Sequence, residues 1–576
     1  MRTLLLSSLF ALSVLSTACG QPPDEYAYET HIANIRDANS KGNGFSGMKN
    51  LVKTVITSPD NGPRIQEFVD KVIPVFEEAW DGSPEHQVNM LEMLRDIGRP
   101  EGANLWKKAL GTLDGSEEGR KRVLLALSGI QRSKSKDTVD AVLGLFEGLV
   151  KDPSKDKGKA EGEIRMELAK TLGMLKDTKA VPALIAALEQ KTEMRPPAIH
   201  RAVAEALGQL RDPKAVEPLV IANFSIADEL STKNLGNRVK LALVSIGEPA
   251  VPRLLELVTG KPDDIVIKKV VEAEANVADV RFTAALILGS VGSPAAVDDL
   301  IKLVPASVCT PAPKEDPKKK DKKKKKDEES EEDLDAKAAD EQLRNALVTS
   351  LGQIGDPKAV PTICNCSQAT THFEEQFMMV EALGLTGGPE AVTCLANFIK
   401  TAESNPDSLP TTDKTPLSIR VEAGRFAILA AGPDQVAAIK EAFAANTDAK
   451  VTEGFKAWEP GLQIVETCKA DKDCYLKTVK DTNANWFARE KAAVELSRIA
   501  AGDQAVAEAL AQAYKVREAD ARVTLALMVA RTMRGKKCQT CVDTLEDVMK
   551  GEKGSTDVSY QKAVLTARDT IAKLSE

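Results

Sequence analysis

The chain has 576 residues, 77 basic against 85 acidic, giving a formal charge of −8, and is 43% hydrophobic and 28% charged. That balance excludes a wholly disordered polymer and an integral membrane bundle, and the negative sign excludes a general affinity for nucleic acid. Aromatics supply only 4% and histidines number four (His31, His86, His200, His372), so cores must be built from Ala, Leu and Val, and a histidine-based metal centre is short of ligands.

Residues 1–18 read as an export signal. Arg2 is followed by an apolar run from Leu4 to Leu15, interrupted only by serines, and then by the small residues Ser16, Thr17 and Ala18. The run is too short to span a bilayer as a mature helix. Cys19 directly after the small residues resembles the lipobox of bacterial lipoproteins, although Ser16 stands where that family usually has leucine. The resemblance implies lipid attachment at Cys19 and firm anchoring by two or three acyl chains. Gly20 rather than Asp after the cysteine implies the outer membrane by the same resemblance. Residues 19–44, from GQPPDEY to SKGNG, are expected to form a flexible, lipidated tether.

A repeated phrase dominates the rest. It reads KDTKAVPALIAAL at 176–188, RDPKAVEPLVIAN at 211–223, GEPAVPRLLELV at 247–258, GSPAAVDDLIKLV at 292–304, GDPKAVPTICNC at 355–366 and GGPEAVTCLANFI at 387–399. Weaker copies follow at 432–443 and 501–514. The aligned valines are Val181, Val216, Val251, Val297, Val360, Val392, Val436 and Val506, with gaps of 35, 35, 46, 63, 32, 44 and 70. The last gap is twice 35, so one copy is unmarked. Upstream of the clear copies lie IRMELAKTLGML, HRAVAEALGQL, VRFTAALILGSVG and LRNALVTSLGQIG, whose apolar residues recur at three- and four-residue spacing. Gly173, Gly208, Gly289 and Gly352 stand near the ends of these helices, where a left-handed cap or tight turn is expected. Asp212-Pro213, Ser293-Pro294 and Asp356-Pro357 then open the next helix, the polar side chain as cap and the proline in the first turn. Each unit is helix, turn, helix. One pair cannot bury its apolar face alone, so neighbours must stack around one continuous core.

The pattern resembles the HEAT and HEAT-like (PBS-lyase-type) repeat family. The family's helix-A arginine matches Arg165, Arg281 and Arg344, each eight residues before the helix-end glycine, and its turn aspartate matches Asp177, Asp212 and Asp356. In the second clear repeat His200 holds the arginine register and Arg201 follows it. The resemblance implies an all-α superhelical solenoid of about twelve or thirteen helix pairs with a closing helix near 556–575. It also implies an arginine–aspartate ladder between neighbouring repeats and a concave surface lined by second helices. The expected organisation is divergent helical repeats at 45–159, clear repeats at 160–310, a charged insert at 311–341, clear repeats at 342–400 and divergent repeats at 401–576. The insert holds ten lysines followed by acids, twelve in all, and with no apolar face it is expected to be a disordered loop.

Cys19 aside, eight cysteines remain, an even number that an oxidising envelope would pair. Cys468 and Cys474 flank a polar turn, and Cys538 and Cys541 form CQTC. Of Cys309, Cys364, Cys366 and Cys394, Cys309 pairs with Cys364 or Cys366, and the other of those two with Cys394. A catalytic CxxC needs a strand-to-helix setting, and zinc needs further ligands at suitable spacing; the flanks supply neither. No G-x-S-x-G or phosphate-loop motif occurs, and the residues after the histidines (Ile32, Gln87, Arg201, Phe373) do not form the His-Glu pairs of the di-iron HEAT hydroxylase. The expectation is a non-enzymatic, protein-binding scaffold of the bacterial envelope. It carries no cofactor or metal, meets the membrane through its N-terminal lipid, and does not bind nucleic acid. A permanent structural subunit, or a lyase-like enzyme, is the alternative.

Overall fold

The computed structural model describes residues 26–157, 161–190, 197–225, 232–309, 331–370, 372–401, 419–446, 449–550 and 557–575. Among these residues it contains helices and no strand, an α-α superhelix of stacked pairs. Residues 1–25, which include the signal segment and Cys19, lie outside the described residues, as do 311–330 of the charged insert. The chain forms two compact units, Met1–Lys159 and Ala160–Glu576.

The first unit departs from expectation at its start. Helices Tyr28–Arg36 and Lys41–Thr57 occupy much of the segment expected to be tether. The reason lies in the apolar side chains: Tyr28, Ile35, Phe45 and Met48 are all buried, so the segment has a core to join. Tyr28, Phe68, Phe76 and Phe45 form a chain of ring contacts 5.8–6.0 Å between centroids. A π turn at Phe68–Val72 precedes Pro74, whose missing N–H cannot complete an ordinary helical ladder.

In the second unit every repeated phrase marks the same junction. The first helix ends and the second begins within a few residues; at six of the eight phrases a 3-10 turn intervenes and the valine opens the second helix, while at 387–399 and 501–514 the helix starts directly at Pro389 and Gln504 and the valine lies within its first turn. The side chains of Asp177, Asp212, Ser293 and Asp356 each accept from the backbone N–H two residues on, capping that turn. The eight valines are all at most 5% exposed. The irregular gaps have structural causes. The gap of 46 holds an extra helix, Ile265–Glu272, capped by Asp264. The gap of 70 holds the unmarked pair Ala449–Cys468 and Lys472–Lys480, where Asp471 replaces the usual phrase as cap. Helix Glu331–Ile354 begins inside the segment expected to be a loop, so the acidic end of the insert is a helical extension of a first helix.

Two expectations need correction. Gly173, Gly208, Gly289 and Gly352 are not caps; they sit inside helices, where successive first helices touch. A Cβ on Gly208 would lie 2.6 Å from Ala242 Cα, and one on Gly352 2.6 Å from Ala382 Cα. The left-handed residues come three positions later, at Lys176, Arg211, Gly292 and Gly355. The concave side is also not a free groove lined by second helices. The closing helix Val558–Leu574 packs back on first helices Thr232–Ile246 and Val277–Val291, more than 260 residues upstream. Lys240 Nζ and Ser290 Oγ both donate to Asp569 Oδ2, at 2.8 and 2.9 Å, and Lys562 pairs with Glu381 at 2.6 Å. The second unit is a coil closed on its own C-terminal repeats, with first helices facing inward.

Candidate functional site

Closing the coil brings the C-terminal ends of several first helices to one place. The last carbonyls of a helix have no intrahelical donor, and the helix dipole adds partial negative charge there. The chain answers with cations. Arg531, near the end of helix Ala519–Thr532, donates to the carbonyls of Leu385 at 2.6 Å, Gly352 at 2.5 Å and Gln353 at 2.9 Å. Arg534 donates to Ile354 O at 2.6 Å, Lys537 to Lys573 O at 2.8 Å, and Arg211 to Ser575 O. Lys491, on the preceding first helix Trp486–Ile499, repeats the device, donating to Leu429 O at 3.0 Å and to Ala431 O and Glu495 Oε1 at 2.5 Å each.

These ends enclose a cavity of about 310 Å³. Six cations line it: Arg211, Arg531, Arg534, Lys536, Lys537 and Lys573. The facing carboxylate is Glu248, which accepts from Ser293 Oγ at 2.7 Å. Arg534, Lys536 and Lys537 are exposed, so the cavity reaches solvent through them. Burial pushes Lys573 down to about 8; Asp569 opposes the shift, while Arg531, Lys240 and Arg534 add to it. Burial, then the Arg211 and Lys176 cations, push Lys537 down to about 8. A second cavity of about 570 Å³ shares Arg531 and Arg534 and adds Arg498 and Glu495.

Four cations of the first cavity come from one stretch, RTMRGKK, directly before CQTC. The Cys538–Cys541 disulfide pins that loop, and Cys538 N donates to Leu574 O at 3.0 Å, tying it to the closing helix. The signal of this stretch in the sequence was four cations in seven residues at a first-helix end.

The ladder residues behave differently from the family pattern. Asp177, Asp212 and Asp356 are caps. Arg281 Nε donates to Val258 O at 2.9 Å, and Arg344 Nη1 to Val308 O at 3.1 Å, each a carbonyl at the end of the preceding second helix or short helix. His200 Nε2 meets Gln190 O at 2.8 Å, the same job in the same register. Arg344 also pairs with Glu375 of the next first helix at 2.5 Å. Neither Arg281 nor Arg344 pairs with a turn aspartate: each arginine lies well inside its first helix and is drawn to the preceding carbonyl, whereas the turn aspartates stand beyond the C-terminal ends of the first helices. Arg165 is wholly buried, and Arg201 follows His200 on the same helix.

The cysteines fall as bonded pairs: Cys309–Cys366, Cys364–Cys394, Cys468–Cys474 and Cys538–Cys541. The two open pairings therefore resolve with Cys364 on the Cys394 side. No group of three metal-ligating side chains occurs among the described residues, and no described helix is long and apolar enough to cross a membrane.

Comparison with known proteins places the repeats. The family model of HEAT repeats matches residues 144–223, and that of the PBS lyase HEAT-like repeat matches 280–304 and 343–369. No curated protein sequence matches the chain. Among solved structures, human deoxyhypusine hydroxylase in complex with glycerol is similar at 17% identity over 53% of this chain and 91% of its own, with a TM-score of 0.19. Importin beta in a polyethylene glycol condition is similar at 13% identity over 94% of this chain and 71% of its own, with a TM-score of 0.34. Its structure in an ammonium sulfate condition gives 10%, 95%, 70% and 0.29. The recurring helix–turn–helix junctions and the two repeat models agree: the chain carries repeats of the HEAT family at the matched residues.

Proposed function

We propose that this HEAT-repeat protein is a non-enzymatic scaffold of the bacterial cell envelope, lipid-anchored through Cys19 on the outer membrane and engaging protein partners. The observation that carries the reading is the cysteine arrangement. Eight of nine cysteines are bonded in pairs, and the ninth stands alone after an export-type apolar run. Disulfides of this number persist outside the reducing cytosol. The inner face of the second unit is occupied by its own closing helix, so partners would meet the outward second helices.

The test is fractionation of cells expressing the wild-type chain and Cys19→Ala, with metabolic acyl labelling and crosslinking from intact envelopes. The expected result is acyl label and membrane sedimentation for wild type, and release of Cys19→Ala into the soluble envelope fraction. Crosslinked proteins should be recovered with the wild-type chain. A wild-type chain without acyl label, or recovered from the cytosol with free thiols, overturns the reading. A partner that resists high salt would identify a permanent structural subunit rather than a transient scaffold.

A further inference from the structure

We propose that the cavity enclosed by the first-helix ends of the second unit binds a phosphate-class oxyanion carrying at least two negative charges. The cations there exceed what the helix ends use. Lys573 Nζ makes no hydrogen bond among the described residues; its nearest acid, Asp569, already accepts from Lys240 and Ser290. Arg534 commits one N–H to Ile354 O, and the residue is exposed and lines the cavity. Lys536 has a single contact, 3.3 Å to Gly502 O. The lining sets six cations against one carboxylate, Glu248, which accepts from Ser293; from outside the lining Asp356 acts on Arg534 and Asp569 on Lys573, which still leaves the cations in excess.

Helix ends capped by cations need one charge each, held against a carbonyl. A surplus that repels itself at a solvent-reaching cavity calls for a mobile anion. A lone carboxylate would leave most of the cluster uncompensated. A phosphomonoester or diphosphate supplies several charges and the acceptor oxygens that an arginine fork and adjacent ammonium groups recognise. The volume of about 310 Å³ admits such a group with part of the molecule that carries it. The lowered proton affinity of Lys573 and Lys537 agrees, since a bound dianion would reverse it.

The carrier is either a small soluble phosphate compound or a phospholipid headgroup, and the experiment separates them. The full chain with Cys19→Ala, so that no acyl anchor contributes, is titrated with pyrophosphate by calorimetry, and its unfolding midpoint is read in pyrophosphate and in chloride of equal ionic strength. Pyrophosphate should raise the midpoint, as any ligand of the folded state does. Lys573→Met combined with Arg534→Gln should weaken binding by about tenfold or more, one lost charge-assisted contact being worth about that factor. Binding is scored as the pyrophosphate-induced rise over each chain's own midpoint in chloride, because Arg534→Gln also removes the donor to Ile354 O. Co-sedimentation with phosphatidylglycerol vesicles that pyrophosphate competes away assigns the headgroup as carrier; pyrophosphate binding without vesicle binding assigns a soluble one. Absence of both, or unchanged affinity in the variant, overturns the proposal. Should that variant fail to fold, Lys536→Ala alone, an exposed side chain, must still weaken pyrophosphate binding.

Discussion

At the scale of single residues, the glycines near first-helix ends show what a sequence pattern reveals and what it conceals. Their recurrence eight residues after the register cation was legible; their role was not, because a helix-end glycine and a close-approach glycine look alike in one dimension. The geometry decides. Gly208→Ala would force a methyl to within 2.6 Å of Ala242 Cα and 2.9 Å of its Cβ, backbone and stub that cannot rotate away. We expect a loss of about 1–3 kcal/mol in urea unfolding. Gly144, exposed in helix Val139–Lys151 with nothing near a new Cβ, is the control, and Gly144→Ala should gain about 0.5–1 kcal/mol. Equal effects at both sites would refute the close-approach role. A second residue-scale case is Glu422. Burial pushes its carboxyl up to about 7, opposed by Arg425 and reinforced by Asp520, Glu381 and Glu490. The folded state then holds a proton that the unfolded state releases between pH 4.5 and about 7. Stability from this group is therefore fullest below the unfolded value and is lost as pH rises through the folded one. Glu422→Gln should accordingly be more stable than wild type at pH 8 by on the order of 1–3 kcal/mol and about equal to it near pH 4.5. A variant whose stability tracks wild type in parallel at every pH would show that Glu422 does not titrate in this window.

At the scale of elements, most of the fold was readable, because each junction spells itself out locally. A cap, a proline and an alternating apolar face lie within about fifteen residues, and Asp212-Pro213-Lys214-Ala215-Val216 folds as its chemistry dictates. The misreadings have a common cause. The pieces at 28–44 and 331–341 look polar on their own but belong to helices whose apolar residues find a core. Cys364–Cys394 staples consecutive second helices, Val360–Ala369 and Pro389–Thr401, and Cys309–Cys366 joins the short helix Ala306–Cys309 to Val360–Ala369. Their chain separations are 57 and 30 residues, against 6 for Cys468–Cys474. In the chain-entropy view the longer closure constrains the unfolded state more, by roughly 4 kcal/mol against about 2. Cys309→Ser with Cys366→Ser should therefore lower the urea midpoint further than Cys468→Ser with Cys474→Ser. The reverse order would place the stabilising effect of these bonds in the folded state.

At the scale of the second unit as a whole, the decisive feature was invisible in the sequence. Lys240, Ser290 and Asp569 are unremarkable side chains 50 to 329 residues apart, and no periodicity links them. Their meeting depends on how far each repeat rotates against the next, a small angle that accumulates over many pairs. The basic cavity follows from the same accumulation, so its cations could be seen in RTMRGKK while their convergence could not. The closure makes a prediction about dynamics. Asp569 is the shared acceptor that holds helix Val558–Leu574 to two distant first helices. Asp569→Ala leaves the Lys240 ammonium and the Ser290 hydroxyl without it, in a site where Asp569 itself is 9% exposed. Local opening should then cost less, and amide exchange in Thr232–Ile246, Val277–Val291 and Val558–Leu574 should quicken by about tenfold or more, the equivalent of about 1.4 kcal/mol. Helix Val436–Ala444, an outward second helix away from this contact, should exchange as before. Small-angle scattering should register expansion if the coil opens. Faster exchange spread evenly over every repeat would mean that Asp569 supports the stack as a whole and that the closing helix is not a separable latch.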